Sequence, residues 1–76
     1  MKNLDYHIES HLLQLISSEQ AFHYNIVPRK KETNHLILFT PLSTSNTIIS
    51  ELEIILGYTI SLEKIDKDEF VKYLNN

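Results

Sequence analysis

The sequence predicts a small α+β domain with the element order ααββαβα and a three-stranded mixed sheet covered by helices. Apolar residues recur at helical spacing near the N-terminus and again just before Gly57. Between these segments, residues 35–40 have apolar side chains at both odd- and even-numbered positions, as in a strand buried on both faces. A strand, a helix of about eleven residues and a further strand imply a right-handed βαβ unit. With 76 residues, the chain is expected to form a single domain, 1–76.

Two helical pieces are expected at the start of the chain. The first carries an apolar stripe at helical spacing, formed by Leu4, Ile8, Leu12 and Leu15. Ser17 and Gln20 then fit a capping box, in which each side chain accepts a hydrogen bond from the other residue's backbone. The chain is therefore predicted to break at Ser17 and to restart as a short helix that reaches Tyr24.

Three segments are predicted as strands. Residues 24–28 end in Pro28, and since proline has no backbone N–H this strand belongs at a sheet edge or strand end. Residues 29–34 form a polar connection of hairpin length to the apolar strand 35–40, and residues 59–65 are β-prone. Strand 35–40 is expected to be central, with 24–28 on one side and 59–65 on the other.

Two further helices complete the prediction. The helix before Gly57 has a core stripe of Ile48, Ile49, Leu52, Ile55 and Leu56. Gly57 suits the left-handed position that ends a helix. Residues 66–69 resemble a capping box in which Asp66 replaces Ser or Thr. This box is expected to start a last helix, which carries Phe70, Val71, Tyr73 and Leu74.

Composition excludes several classes of function. The net charge of −3 provides no positive field for a phosphate backbone, so no nucleic-acid partner is expected. The absence of cysteine removes disulfides, thiolate zinc sites and thiol nucleophiles, which suits a reducing cytoplasm. A chain with one glycine cannot build a Walker A loop, a dinucleotide fingerprint or a Gly-x-Ser-x-Gly elbow. No apolar run is long enough for membrane insertion, and the N-terminus lacks a signal-peptide pattern.

The side chains of metal-binding and acid–base types are better explained by structural roles. His7 and His11 have the i, i+4 spacing of a zinc helix, but no third ligand is tied to them, and packing at the core border is favoured. The carboxylates Glu51 and Glu53 suit the polar face of a helix. Asp66, Asp68 and Glu69 suit the start of a helix, where acidic residues are expected. The sequence therefore predicts no catalytic residue, no cofactor and no metal.

The basic run Arg29, Lys30 and Lys31 is the strongest candidate for a small-molecule site. On a hairpin tip these residues could meet a phosphate, whereas a solvated turn partly neutralised by Glu32 is the simpler interpretation. The alternative hypothesis for function rests on them: a small regulatory domain that binds an anionic nucleotide ligand.

Four segments carry a resemblance that covers residues 8–74. They are Leu-Ile-Ser-Ser-Glu-Gln-Ala-Phe-His-Tyr-Asn-Ile-Val-Pro at 15–28, Leu-Ile-Leu-Phe at 36–39, Glu-Leu-Glu-Ile-Ile-Leu-Gly-Tyr-Thr-Ile at 51–60 and Phe-Val-Lys-Tyr-Leu at 70–74. The chain resembles the N-terminal domain of the secretion ATPase superfamily, which comprises general secretory pathway protein E and its type IV pilus assembly relatives. That domain has a proline-ended strand, an apolar strand, and a helix ending in Leu-Leu-Gly or similar.

The resemblance implies a non-catalytic docking domain of a type II secretion or type IV pilus assembly ATPase. Its partner would be the cytoplasmic part of an inner-membrane assembly protein, with the ATPase domain of its own parent protein as a further partner. Such a domain is cytoplasmic and reaches the inner membrane through its partner. Some relatives bind cyclic di-GMP through Arg-Leu-Gly and Gly-Leu-Ile elements, and neither occurs here.

Three apolar residues are candidates for the partner surface. Ile54 points about 150° away from the centre of its helix's core stripe. Tyr6 and Leu13, seven residues apart, lie on the side of the first helix opposite Leu4 and Ile8. Isolated exposed apolar residues are ordinary on any surface, which is the alternative for Ile54 in particular.

Overall fold

The fold has the predicted class and element order. The computed structural model describes Ile8 and residues 10–75, so Leu4 and His7 lie outside the described residues. Its elements are α1 (Ser10–Leu13), α2 (Ser18–Tyr24), β1 (Val27–Glu32), β2 (His35–Pro41), α3 (Ile48–Leu56), β3 (Thr59–Ile65) and α4 (Lys67–Leu74).

The three strands form one mixed sheet in the order β1-β2-β3, with β2 in the centre as predicted. β1 pairs antiparallel with β2, and β2 pairs parallel with β3. The parallel register is regular from His35 opposite Thr59 to Pro41 opposite Ile65. The predicted βαβ unit is therefore β2, α3 and β3.

The predicted bounds of the first strand, 24–28, are wrong. Tyr24 is the last residue of α2, and Asn25 ends that helix in the left-handed region at φ 56°. β1 instead continues through the polar residues to Glu32, which leaves Thr33 and Asn34 as a two-residue turn. Backbone pairing with β2 does not depend on side-chain polarity, and an edge strand readily carries exposed charges, so the polar run did not mark the end of the strand.

The two predicted capping boxes have different outcomes. The first is confirmed: Ser17 Oγ accepts from the Gln20 N–H at 3.1 Å, and Gln20 Oε1 accepts from the Ser17 N–H at 3.0 Å. The second is wrong, because the Asp66 side chain makes no capping bond. α4 starts instead through its backbone, with the Phe70 N–H donating to the Asp66 carbonyl at 2.9 Å. Gly57 ends α3 as predicted, at φ 79°.

Two apolar clusters form the core. The first lies between α2, α3 and the sheet face that carries Leu36 and Leu38, which we call the first face. Its buried members are Ile16, Ile26, Leu36, Leu38, Leu52 and Ile60. The second joins α1, α4 and one end of the opposite face, called the second face. Its buried members are Ile8, Leu12, Val27 and Phe70.

The expectation that β2 is buried on both faces holds for only one of them. On the first face Leu36, Leu38 and Thr40 are fully buried, whereas His35 and Ile37 on the second face are half-buried. α4 has eight residues and covers one end of the second face, where Tyr73 stacks on Phe39 with ring centroids 4.7 Å apart. The other end stays accessible because this helix is too short to reach it.

Replacing the fully buried Thr40 with valine is expected to lower the free energy of unfolding by about 1–3 kcal/mol. Its hydroxyl donates to the Asn25 carbonyl at 2.8 Å and lies 2.8 Å from Thr44 Oγ1. Valine keeps the shape but leaves the carbonyl that follows α2 without its donor. Urea unfolding measures this loss. The control variant Thr47→Val, at an exposed position, should change the free energy of unfolding by less than about 0.5 kcal/mol. Equal changes in the free energy of unfolding of the two variants would contradict a stabilising role for the Thr40 hydroxyl.

Candidate functional site

The outer side of α3 is the most exposed apolar surface on a helix of the described chain. Ile54 is 83% exposed, which confirms the exposure expected from the helical wheel. Ile55 is 44% exposed, so its assignment to the core stripe is wrong. The two adjacent isoleucines form what we call the α3 patch.

The hydrogen bond that joins α3 to β3 lies on the side of the helix away from Ile55. Leu52, at the centre of the buried arc, is fully buried. On one side of it, Glu53 Oε2 accepts a hydrogen bond from the backbone N–H of Ile60 in β3 at 3.0 Å. Ile55 lies about 60° from Leu52 in the opposite direction. α3 is therefore bonded to β3 on its Glu53 side, and Ile55 lies on the other side of the buried Leu52.

The other two candidate partner residues are not joined to this patch. Leu13 in α1 is 50% exposed beside the buried Leu12, as the helical spacing predicts. Tyr6 lies outside the described residues. α1 packs through Leu12 on the second cluster and α3 packs through Leu52 on the first. Leu13 and Ile54 therefore belong to helices that pack on different clusters.

The carboxylates Glu51 and Glu53 have separate structural roles. Glu51 accepts a hydrogen bond from the Tyr24 hydroxyl, which links α3 to the end of α2. This bond, together with partial burial and the negative charge of Glu51, raises the pKa of Tyr24 above its usual value. The phenol is therefore neutral and donating at physiological pH. Glu53 caps Ile60 on the opposite side of the helix, so the pair does not form an acid–base site.

The basic run does not lie on a hairpin tip, because residues 29–31 are part of β1. The register shifts between Pro28 and Lys30, and Lys30 is paired with Ile37 while Lys31 is paired with Leu36. Side chains of paired residues share a face, so the two lysines point to opposite faces of the sheet.

Each cation of the run also has its own neighbour. Arg29 Nε lies 3.1 Å from Glu63 Oε1 and its guanidinium lies 5.7 Å from the centre of the Phe39 ring. Lys30 Nζ is 3.1 Å from Glu32 Oε2, and Lys31 Nζ is 5.6 Å from the centre of the Tyr58 ring. The structure does not bring these three charges together as one anion site, so no observation favours the nucleotide hypothesis.

A polar chain that sequence reasoning missed crosses the open end of the second face. His35 Nδ1 lies 2.8 Å from Thr59 Oγ1, and His35 Nε2 lies 2.7 Å from Ser61 Oγ. The Thr59 hydroxyl donates to the Asn34 carbonyl at 3.1 Å. In the neutral imidazole tautomer that fits this bond, Nδ1–H donates to the Thr59 hydroxyl and the Ser61 hydroxyl donates to Nε2.

This arrangement places a serine hydroxyl on an imidazole base, as in a nucleophilic site. A Ser–His pair that catalyses acyl transfer has a carboxylate behind the imidazole to stabilise its charged form. Here a threonine hydroxyl occupies that position. The chain of hydrogen bonds is better explained as a link that ties β2 to β3 at the end of the sheet that α4 does not cover.

A groove of about 260 Å³ lies beside α4. It is lined by Asn25, Pro41, Ser43, Lys67, Phe70, Val71 and Leu74. Its walls are polar and apolar in similar measure, and they include one lysine. Across Ile8 and residues 10–75 there is no group of three His, Asp or Glu side chains placed to share a metal ion. His7, the partner of His11 in the possible metal pair, lies outside this part of the chain.

Among the described residues, none of the helices has the length and apolar character needed to cross a membrane. Comparison with protein-family models, curated proteins and solved structures finds no match to this chain. The resemblance to the secretion ATPase domain therefore rests on the sequence segments quoted above.

Proposed function

We propose that the chain is a non-catalytic docking domain of a type II secretion or type IV pilus assembly ATPase. In this role it binds the cytoplasmic part of an inner-membrane assembly protein and so couples the motor to the machine. It works in the cytoplasm, at the membrane surface, through that partner. ATP hydrolysis belongs to a separate domain of the parent protein, which is a second partner for this one.

The observation that carries the proposal is the α3 patch. A side chain that is 83% exposed, as Ile54 is, gains the most apolar burial when a partner covers it. Ile55 beside it is also exposed, so a partner pocket can take both residues. Interfaces are typically dominated by a few apolar or aromatic residues that enter such pockets.

The surroundings of the patch indicate the chemistry of the partner. Glu51, one turn before Ile55, is exposed, and the whole chain has a net charge of −3. An apolar pocket with basic residues at its rim would complement this surface. The sequence segments that resemble the secretion ATPase domain support a secretion or pilus assembly machine as the place of this partner.

The proposal also fits the use of the single glycine. Gly57 ends α3 in the left-handed region, with its N–H donating to the Glu53 carbonyl at 3.0 Å. A phosphate cradle requires a glycine-rich loop with free backbone N–H groups. This glycine serves a helix end instead, in keeping with a domain that docks rather than hydrolyses.

Replacing Ile54 with aspartate is expected to abolish capture of the assembly protein and to leave the melting temperature nearly unchanged, because the side chain is exposed. The wild-type domain, immobilised as bait, is incubated with solubilised inner membranes of the host, and bound proteins are identified by mass spectrometry. Leu13→Asp tests the second candidate surface in the same way.

Leu42→Asp is the matched control, because Leu42 is 61% exposed in the loop after β2 and undergoes the same chemical change. The Leu42→Asp variant should still capture the assembly protein. Wild-type bait that enriches no secretion or pilus assembly protein would contradict the proposed function. Equal loss of capture in the Leu42 and Ile54 variants would show that added charge, and not the α3 patch, is responsible.

A further inference from the structure

The outer edge of β3 carries backbone groups that face away from the sheet. The Thr59 N–H donates to the Asn34 carbonyl at 2.9 Å, and the Ile65 carbonyl accepts from the Leu42 N–H at 3.1 Å, both on the β2 side. Successive residues of a parallel strand bond to alternate sides. The N–H and C=O groups of Ile60, Leu62 and Lys64 therefore point to the outer edge, and no strand of the described chain lies beyond it.

The two edges of the sheet differ in how well they accept another strand. β1 contains Pro28, a register shift before Lys30, and two adjacent lysines, which are features that prevent edge pairing. β3 runs for seven residues in unbroken register with no proline. The outer edge of β3 is therefore the edge on which a further strand can pair.

Apolar side chains accompany this edge on the first face. Because Glu53 reaches the outward N–H of Ile60, its side of α3 faces the outer edge. Ile49 and Leu56, four residues before and three residues after Glu53, share that side and are half-buried, as is Leu62 in β3. A strand added to β3 would bring further apolar surface against these residues.

We propose that a second copy of this chain pairs antiparallel with β3, so that two sheets join into one of six strands. Charge selects the register. With Leu62 on the two-fold axis, Lys64 of one copy lies opposite Ile60 of the other. It then lies beside Glu53 of that other copy, whose carboxylate accepts from the Ile60 N–H. A shift that centres the pair on Glu63 would set two glutamates directly opposite each other, which is unfavourable.

Pairing in this register gives a new partner to each group whose hydrogen bond it breaks. The Ile60 N–H transfers from Glu53 to the Lys64 carbonyl of the second copy, and the released Glu53 carboxylate binds the Lys64 ammonium. The backbone pairs are Ile60 with Lys64, Leu62 with Leu62, and Lys64 with Ile60. All six positions direct their backbone groups outward, so no hydrogen bond to β2 is broken. This interface does not use the α3 patch and is independent of the docking proposal.

Sedimentation equilibrium of the full chain tests the inference, at concentrations from about 10 μM to about 1 mM. We expect a monomer–dimer equilibrium in this range. Lys64→Pro removes one outward N–H and no bond to β2, and it should weaken dimerisation at least about tenfold. Lys67→Pro is the matched control, because position 67 begins α4, where proline is well tolerated; it should dimerise like wild type.

A charge exchange tests the register without proline. Lys64→Glu should weaken the dimer, and the double variant Lys64→Glu with Glu53→Lys should restore it. Circular dichroism melting confirms that each variant is folded. A wild-type chain that remains monomeric at about 1 mM would overturn the proposal. Unchanged dimerisation of Lys64→Pro, or a double variant no better than Lys64→Glu, would overturn it equally.

Discussion

Replacing Leu52 with alanine is expected to lower the free energy of unfolding by about 2–5 kcal/mol. Leu52 is fully buried between α3 and the first face, in the cluster that includes Leu36, Leu38 and Ile60. Removing its side-chain carbons loses apolar burial and leaves a cavity that a small domain refills only in part. A 76-residue domain has about 4–11 kcal/mol of total stability, so this one change removes a large share of it.

Ile54→Ala is the matched control for this experiment. It lies two residues away on the same helix, and 83% of its side chain is exposed. Its change in the free energy of unfolding should stay within about 0.5 kcal/mol. Urea unfolding monitored by circular dichroism measures both variants. Similar losses at the two positions would show that α3 does not pack as described.

Local patterns in the sequence predict most of the secondary structure. The period of Ile48, Ile49 and Leu52 predicts α3, and Gly57 predicts its end, because helical spacing and the left-handed region are local properties. The extent of β1 is not local. Residues 29–32 are strand only because β2 lies alongside them, and polarity alone favours a loop there.

Exposure on α3 was predictable only in part. The helical wheel correctly placed Ile54 outward, since this residue lies far from the buried arc. It placed Ile55 in the core, because a wheel assumes that the sheet faces the centre of the apolar stripe. The bond between Glu53 and the Ile60 N–H holds α3 to β3 on the side away from Ile55, and no feature of the sequence signals this bond.

No local pattern in the sequence points to the polar chain at His35. His35 and Thr59 are 24 residues apart, and they meet only because β2 and β3 are parallel neighbours in a particular register. Once the βαβ unit is assumed, aligning the first residues of the two strands brings His35 opposite Thr59. That alignment is the one signal that points to the contact.

Replacing Phe70 with alanine is expected to lower the free energy of unfolding by about 3–5 kcal/mol. Phe70 is 2% exposed and packs in the second cluster with Ile8, Leu12 and Val27. It is the buried residue of α4, so its loss removes the main contact between that helix and the rest of the chain. The neighbouring Val71→Ala, at a position 38% exposed, should cost much less.

The Phe70 variant also tests whether the two clusters unfold together. Leu15, in the segment between α1 and α2, packs against both clusters and so connects them, and a domain of this size is expected to unfold in one step. Urea transitions of the variant followed by far-ultraviolet circular dichroism and by tyrosine fluorescence should therefore coincide at a lowered midpoint. Two separated transitions, or a loss no larger than that of Val71→Ala, would mean that α4 docks as an independent unit and that the first cluster alone holds the fold.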